Sequence, residues 1–349
     1  MKKRLAAVLM TAVLATGIMT GCGGQIEDSD VVATVGKTEI KGDVANFYAR
    51  YQQAVYETYY GSMMGGADAM WTTEAEKGKT YEETTKESIM TALENVYLIK
   101  DHAKDYKVEL TEEEEKAISD AADKFVKANK EDVRNVISGD KDTVKEVMEL
   151  LTYQSKMRPE MVKDIDKNVS DEEAAQKKMQ YIVFSFGTDE EAKASEDVNT
   201  KKEAKKKAED FVKAVKGGKD FSAAAQEQGG TASDMTFDSS SEIPAKELVK
   251  AADKLKVNEM TDIIETDTGF YIAKLTSEFD KEATDSKKQE IISEREQKQY
   301  DKLLKKWRKD AKIEENKKEW KKINFDEQGV AAKTPEAEEG TADTGNTAE

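Results

Sequence analysis

Apolar residues in this chain recur with two different periods, and the places where the period changes divide it into segments. Val31–Val35 is a β-branched run, Gly36-Lys37 a turn and Thr38–Ile40 a second extended piece, after which Gly42-Asp43 opens a helix. In that helix Val44, Phe47, Tyr48, Tyr51, Val55 and Tyr59 recur at spacings of three and four and define one apolar stripe, which Tyr56, Tyr60, Met63 and Met64 widen. Gly65-Gly66 predicts a loop. A helix is expected over about 82–106, with Ile89, Leu93, Val96, Tyr97 and Ala103 on one face. Thr111–Glu114 reads as a capping box, in which a hydroxyl and a carboxylate each take one unpaired N–H of a helix start, and helices follow over roughly 112–129 and 141–165.

Ser170–Glu173 is a second capping box, and beyond it the pattern switches to short strands. Met179–Phe186 predicts a strand, 199–216 a helix closed by Gly217-Gly218, and Asp220 the start of a short helix carrying Phe221, Ala224 and Ala225. Met235–Phe237 reads as a brief strand, Ala245–Lys254 as a helix, and Met260–Glu265 and Gly269–Leu275 as two strands around the Asp267-Thr268-Gly269 turn. The order β-α-α-β-α-β-β describes a small α+β domain of about 100 residues. From about 284 to 322 a helical period returns, with Tyr300, Leu303, Leu304, Trp307 and Ala311 forming a stripe that needs a partner. The helical region before residue 170 is the natural partner, so the α+β module reads as an insertion into a split helical domain. Residues 326–349 are acidic, without periodicity, and are expected to be disordered.

Composition narrows the function classes. The 349 residues carry 72 acidic and 55 basic side chains, a formal charge of −17, which repels phosphate and argues against nucleic acid as a partner. One cysteine and one histidine leave no intrachain disulfide and no Cys/His metal cluster, and any Ser-His or Cys-His dyad would have to use His102. His102 reads as an ordinary packed or exposed side chain, and no cofactor is implied. Residues 298–322 hold 11 Lys/Arg against 5 Asp/Glu, which reads as a solvated helix face. At the N-terminus Lys2, Lys3 and Arg4 precede a 14-residue mostly apolar run, Leu5–Ile18, too short for a confident span and suited to an export signal. Met19-Thr20-Gly21-Cys22 resembles a bacterial lipobox, which implies cleavage before Cys22 and acylation of its thiol, leaving the protein anchored on the outer face of the cell membrane.

Ala251–Lys256, Glu259–Thr266 and Gly269–Leu275 together are similar to the closing stretch of parvulin-type peptidyl-prolyl isomerase domains. Gly218–Ala225 resembles the start of a family helix, and Lys178–Phe184 occupies the place of the family's first strand. Residues 31–49 and 89–119 resemble the opening of the SurA/PrsA N-terminal chaperone domain, so that most of the mature chain resembles the PrsA-type foldase lipoproteins. The resemblance implies an α+β fold in which a helical chaperone domain, discontinuous in sequence, carries an inserted parvulin-like domain. The expected division is a signal peptide over 1–21, a tether over 22–30, helical domain over 31–170, parvulin-like domain over 171–283, a C-terminal helix completing the helical domain over 284–325, and the acidic tail over 326–349.

Rotation about an X–Pro bond faces a barrier of ~18–20 kcal/mol and breaks no covalent bond, so an isomerase must hold the proline and favour the twisted amide. The resemblance implies a pocket with a Met/Phe floor between two facing histidines and a nearby Asp or Cys. Here both histidine positions are matched by tyrosines, Tyr181 and Tyr271, and the loop that carries the Asp or Cys is shortened to Gln226–Ser233. The Met and Phe floor positions fall near Pro244 and on Leu248, Met235 and Phe237 join Leu248 as peptide-binding candidates, and Tyr56, Tyr60, Met63 and Met64 offer a second adaptable surface for peptide. The expected function is a membrane-anchored foldase or chaperone for exported, unfolded polypeptides, carrying an eroded isomerase site. A working prolyl isomerase and a structural envelope lipoprotein with one fixed partner are the alternatives.

Overall fold

The computed structural model describes residues 13–16, 26–187, 199–326 and 329–332. Cys22 and residues 333–349 lie outside the described residues. The chain forms two compact units, one made of residues 1–164 with 297–349 and the other of residues 165–296. The body is therefore split in sequence around an inserted module, as the return of helical periodicity after the insert implied.

The first unit contains β1 (Val13–Thr16), β2 (Val31–Val35), β3 (Thr38–Lys41), α1 (Gly42–Tyr60), α2 (Ala67–Thr72), a small hairpin β4 (Glu74–Glu76) and β5 (Lys79–Thr80), α3 (Tyr81–Asp101), α4 (Glu112–Ala128), α5 (Glu131–Val136) and α6 (Lys141–Met161). The α1 stripe is buried at Val44, Phe47 and Tyr48, where Phe47 meets Phe125 of α4 edge-on at 5.3 Å. Tyr51 and Val55 are half-buried, and Tyr59 is 70% exposed, so the stripe opens to solvent along its last turns. The Thr111–Glu114 capping box forms as the sequence predicts, both reciprocal bonds being present. Thr80 and Glu83 make another at the start of α3.

The second unit runs through α7 (Asp171–Ala174), β6 (Lys177–Ser185), α8 (Lys201–Lys216), α9 (Phe221–Glu227), β7 (Ser233–Phe237), α10 (Lys246–Ala252), β8 (Ile264–Glu265) and β9 (Gly269–Ser277), and α11 (Lys281–Ala311) carries the chain from it back to the first unit. Its four antiparallel strands stand in the order β7-β6-β9-β8. One sheet face carries Ile182, Phe184, Phe270 and Ile272 beneath Phe211 of α8 and Phe221 of α9. The other carries Met179, Phe237, Ala273 and Leu275 beneath Leu248 and Val249 of α10. A Cβ at Gly269 would stand 2.8 Å from Val183 Cγ2, so the strand pairing admits only glycine there.

Several expectations are corrected. The strand expected over 260–265 shrinks to Ile264–Glu265, because the Thr261 hydroxyl takes the Ala273 N–H and breaks the ladder. Ser170 accepts the Glu173 N–H at 3.1 Å, but Glu173 bonds Arg295 at 2.6 Å instead of reaching back, so this capping box is half made. The helix expected over 284–322 stops at Ala311, where Lys312 turns left-handed at φ 52°. Then β10 (Glu314–Glu315) joins the edge of β2, pairing Glu314 with Thr34 and Glu315 with Ala33, and a short α12 (Lys317–Trp320) follows. Residues 26–30, read as tether, are built into the first unit, where Ile26 is buried and Asp30 pairs with Lys322 at 2.9 Å. In the tail read as disordered, β11 (Gly329–Ala332) pairs with β1. Its Val330 is buried and donates its N–H to Glu57, because Gly-Val-Ala-Ala is an apolar tetrapeptide within the acidic tail.

Candidate functional site

The period-2 alternation of β6 and β9 places Tyr181 and Tyr271 on the same sheet face. Tyr181 stands opposite Ala273 on one side and Ser233 on the other, while Tyr271 stands opposite Val183 and Ile264. The two tyrosines are diagonal neighbours across the ladder, a separation that long side chains bridge. Both are half-buried and pack, with Met235 and Ile264, on the cluster of Met179, Phe237, Leu248, Ala273 and Leu275. Neither phenol has a hydrogen-bond partner among the described residues.

The sequence-derived candidates therefore gather on one face, but at two depths. Tyr181, Tyr271 and Met235 line its accessible layer. Phe237 and Leu248 are fully buried beneath it and hold the floor rather than meeting a peptide directly. Ser233 is exposed beside Tyr181, and Ile264 is half-buried beside Tyr271. Strand alternation carried the signal for both, since each faces the same way as its tyrosine neighbour. Chemically the face offers an apolar bed, two phenolic donors and one hydroxyl. Its hydroxyls have the chemistry to donate hydrogen bonds to an amide carbonyl without any proton transfer.

The second set, in the first unit, is an aromatic run at the end of α1. Tyr56 lies 5.9 Å from Tyr60, 6.2 Å from Trp71 and 6.3 Å from Tyr81, and Trp71 lies 5.0 Å from Phe325. Tyr60 is 46% and Met63 78% exposed, with Met64 half-buried. Behind this run sit charges that the sequence reading passed over. The Arg50 guanidinium donates to the Asn324 carbonyl at 2.7 Å, and burial pushes it down to about 10. Glu57 accepts from Trp71 Nε1 at 2.8 Å and from Gln53 at 2.6 Å, and burial raises its carboxyl despite these bonds.

His102 belongs to neither set. It stacks on Trp307 at 4.2 Å, and its Nδ1 lies 2.8 Å from Asp105, a packed side chain at the end of α3. Among the described residues no group of three or more His, Cys, Asp or Glu side chains is placed to hold a metal ion, and no helix is long and apolar enough to cross a membrane.

The segment 172–285, which spans the whole four-stranded sheet, matches the family described as the PPIC-type PPIASE domain. Residues 172–285 are a PPIC-type domain. The parvulin resemblance of the sequence is thereby borne out for the inserted module. In the PPIC-type domain of this chain the tyrosine-bearing face lies on the central strands, and the helices α8 and α9 close the opposite face. No curated protein matches the chain. Among solved structures it is similar to a peptidylprolyl isomerase (PrsA) from Bacillus cereus at 17% identity, covering 85% of this chain and 98% of that one with a TM-score of 0.32. It is also similar to a foldase protein PrsA from Streptococcus pneumoniae at 21% identity, covering 73% and 99% with a TM-score of 0.29. A peptidylprolyl isomerase (PrsA) from Bacillus anthracis is similar at 20% identity, covering 65% and 99% with a TM-score of 0.28.

Proposed function

We propose that this chain is a membrane-anchored foldase of the PrsA type, which holds exported polypeptides while they fold and whose PPIC-type domain has an eroded catalytic set. The observation that carries the reading is the composition of the sheet face. The matched segment has an apolar floor and an accessible upper layer carrying Tyr181 and Tyr271, which the sequence resemblance sets at the positions of the parvulin histidines. Such a face binds chain through apolar area and phenolic hydrogen bonds. The exposed Tyr59, Tyr60 and Met63 give the first unit a further adaptable apolar surface, suited to clients of varied sequence.

A protease-coupled assay on a proline tetrapeptide, run beside light scattering of several unrelated unfolded proteins, tests the reading. Suppressed aggregation with little rate gain supports it. A large gain abolished by Tyr181→Ala or Tyr271→Ala would instead assign a working isomerase. Binding to a single folded partner with no effect on unfolded clients would assign a structural envelope role.

For the anchor, the lipobox-like Met19–Cys22 leads us to propose cleavage before Cys22, attachment through its acylated thiol and residence on the outer face of the cell membrane. Cleavage there removes β1, so β11 loses its strand partner while Val330 keeps its bond to Glu57. Mass spectrometry of the mature N-terminus from membrane fractions is expected to find diacylglycerol on Cys22, and an unmodified Cys22 in those fractions contradicts the anchor.

A further inference from the structure

In the first unit the segment 323–325 is held in a way that differs from strand or helix packing: side chains of α1 and α3 take its main chain directly. Lys86 donates to the Ile323 carbonyl, and Arg50 Nη1 to the Asn324 carbonyl at 2.7 Å. Gln53 Nε2 donates to the Phe325 carbonyl at 3.1 Å, and the Phe325 N–H donates to Glu82 Oε1 at 2.8 Å. Arg50 and Gln53 are buried, so these are built, desolvated partners and not chance surface bonds. The Phe325 ring meanwhile fills an aromatic pocket against Trp71 at 5.0 Å, with the Arg50 guanidinium 5.8 Å from its centroid.

Side chains that bind carbonyls and an N–H do not read which residue carries them. A pocket that takes one large apolar side chain beside such contacts accepts many sequences. The pocket is also continuous with the accessible patch, since Trp71 leads through Tyr56 to the exposed Tyr60. We propose that this groove between α1 and α3 is a binding site for extended polypeptide with a large apolar residue, and that Ile323–Phe325 occupies it as a built-in competitor. The occupant is an unfolded chain, and its stand-in is the segment already seated there. This deepens the chaperone reading and rests on it: the aromatic patch makes first contact, and the client then displaces the chain's own segment.

The test uses the full-length protein and a fluorescein-labelled peptide with the sequence of residues 320–326. A site occupied most of the time by its own segment has an apparent affinity lowered by that occupancy. The Phe325→Ala full-length chain, whose competitor is weakened, is therefore expected to bind the peptide about tenfold more tightly than wild type. Equal or weaker binding by a folded Phe325→Ala chain overturns the proposal. To keep the test independent of that variant's folding, amide exchange is measured in parallel on wild type. Saturating unlabelled peptide is expected to speed exchange of residues 323–326 about tenfold while α4 and α6 are unchanged. Unchanged exchange at 323–326 overturns the proposal. Light scattering on the same preparations separates the two levels. Suppressed aggregation with unchanged exchange sinks the groove and keeps the chaperone reading. Accelerated exchange without suppression keeps the groove and sinks that reading.

Discussion

Tyr181 and Tyr271 set the polar chemistry of the sheet face of the PPIC-type domain, because each phenol adds one hydroxyl donor to an otherwise apolar surface. Their pairing was legible in the sequence once the strands were placed, since period-2 alternation puts both on one side. The depth of their neighbours was not. Phe237 and Leu248 read as possible peptide contacts, and packing of α10 onto β7 and β9 seals them. Phe237→Ala is accordingly expected to cost about 3–5 kcal/mol of stability in urea denaturation, the range for emptying a packed aromatic site. A loss under about 1 kcal/mol would mean that the floor collapses freely and is no fixed bed. Arg50 and Gln53 escaped the sequence reading for a related reason: both lie among the apolar positions of α1, and nothing local signals that their partners are backbone groups some 270 residues further on.

At the scale of elements, helices with strong end signals were placed closely, and the failures came where distant chain intervened. The expected C-terminal helix ends at Ala311 because the next residues serve a strand edge, and helix resumes only in the short α12. What holds the last turns of α11 to the body is equally long-range. Arg308 Nη2 donates to Glu94 Oε2 at 2.7 Å, and the Glu94 side chain is wholly buried. Burial raises the Glu94 carboxyl above its ordinary value, with the Arg308 bond opposing that rise. Arg308→Ala leaves this carboxylate buried without its cation and is expected to cost about 3 kcal/mol near neutral pH. A carboxyl whose folded value lies above its unfolded one favours folding most when protonated, and that stability is lost as pH rises through the folded value. The Arg308→Ala deficit should therefore shrink as pH falls toward 5. Denaturation curves at the two pH values check this, and a deficit that grows in acid contradicts it.

At the scale of the molecule, the split body was the most legible feature, because an amphipathic stripe after the insert demanded a partner before it. The structure supplies that partner in detail: β10 pairs with β2, Lys322 with Asp30, and Arg308 with Glu94. The boundaries were less legible. Residues 26–30 carry no hydrophobic period, yet they pack, because Gly42 leaves room for the Glu27 carbonyl; a Cβ there would stand 2.1 Å from that oxygen. The inserted PPIC-type domain and the aromatic end of α1 then give one chain two apolar surfaces, which the proposed function assigns to polypeptide. The measurement closest to this claim is refolding of a client whose rate is limited by X–Pro isomerisation and whose unfolded form aggregates. With the protein present, the recovered yield should rise while the slow-phase time constant stays near its uncatalysed value of roughly tens to hundreds of seconds. A slow phase accelerated in proportion to enzyme concentration, with no gain in yield under aggregating conditions, would contradict the account.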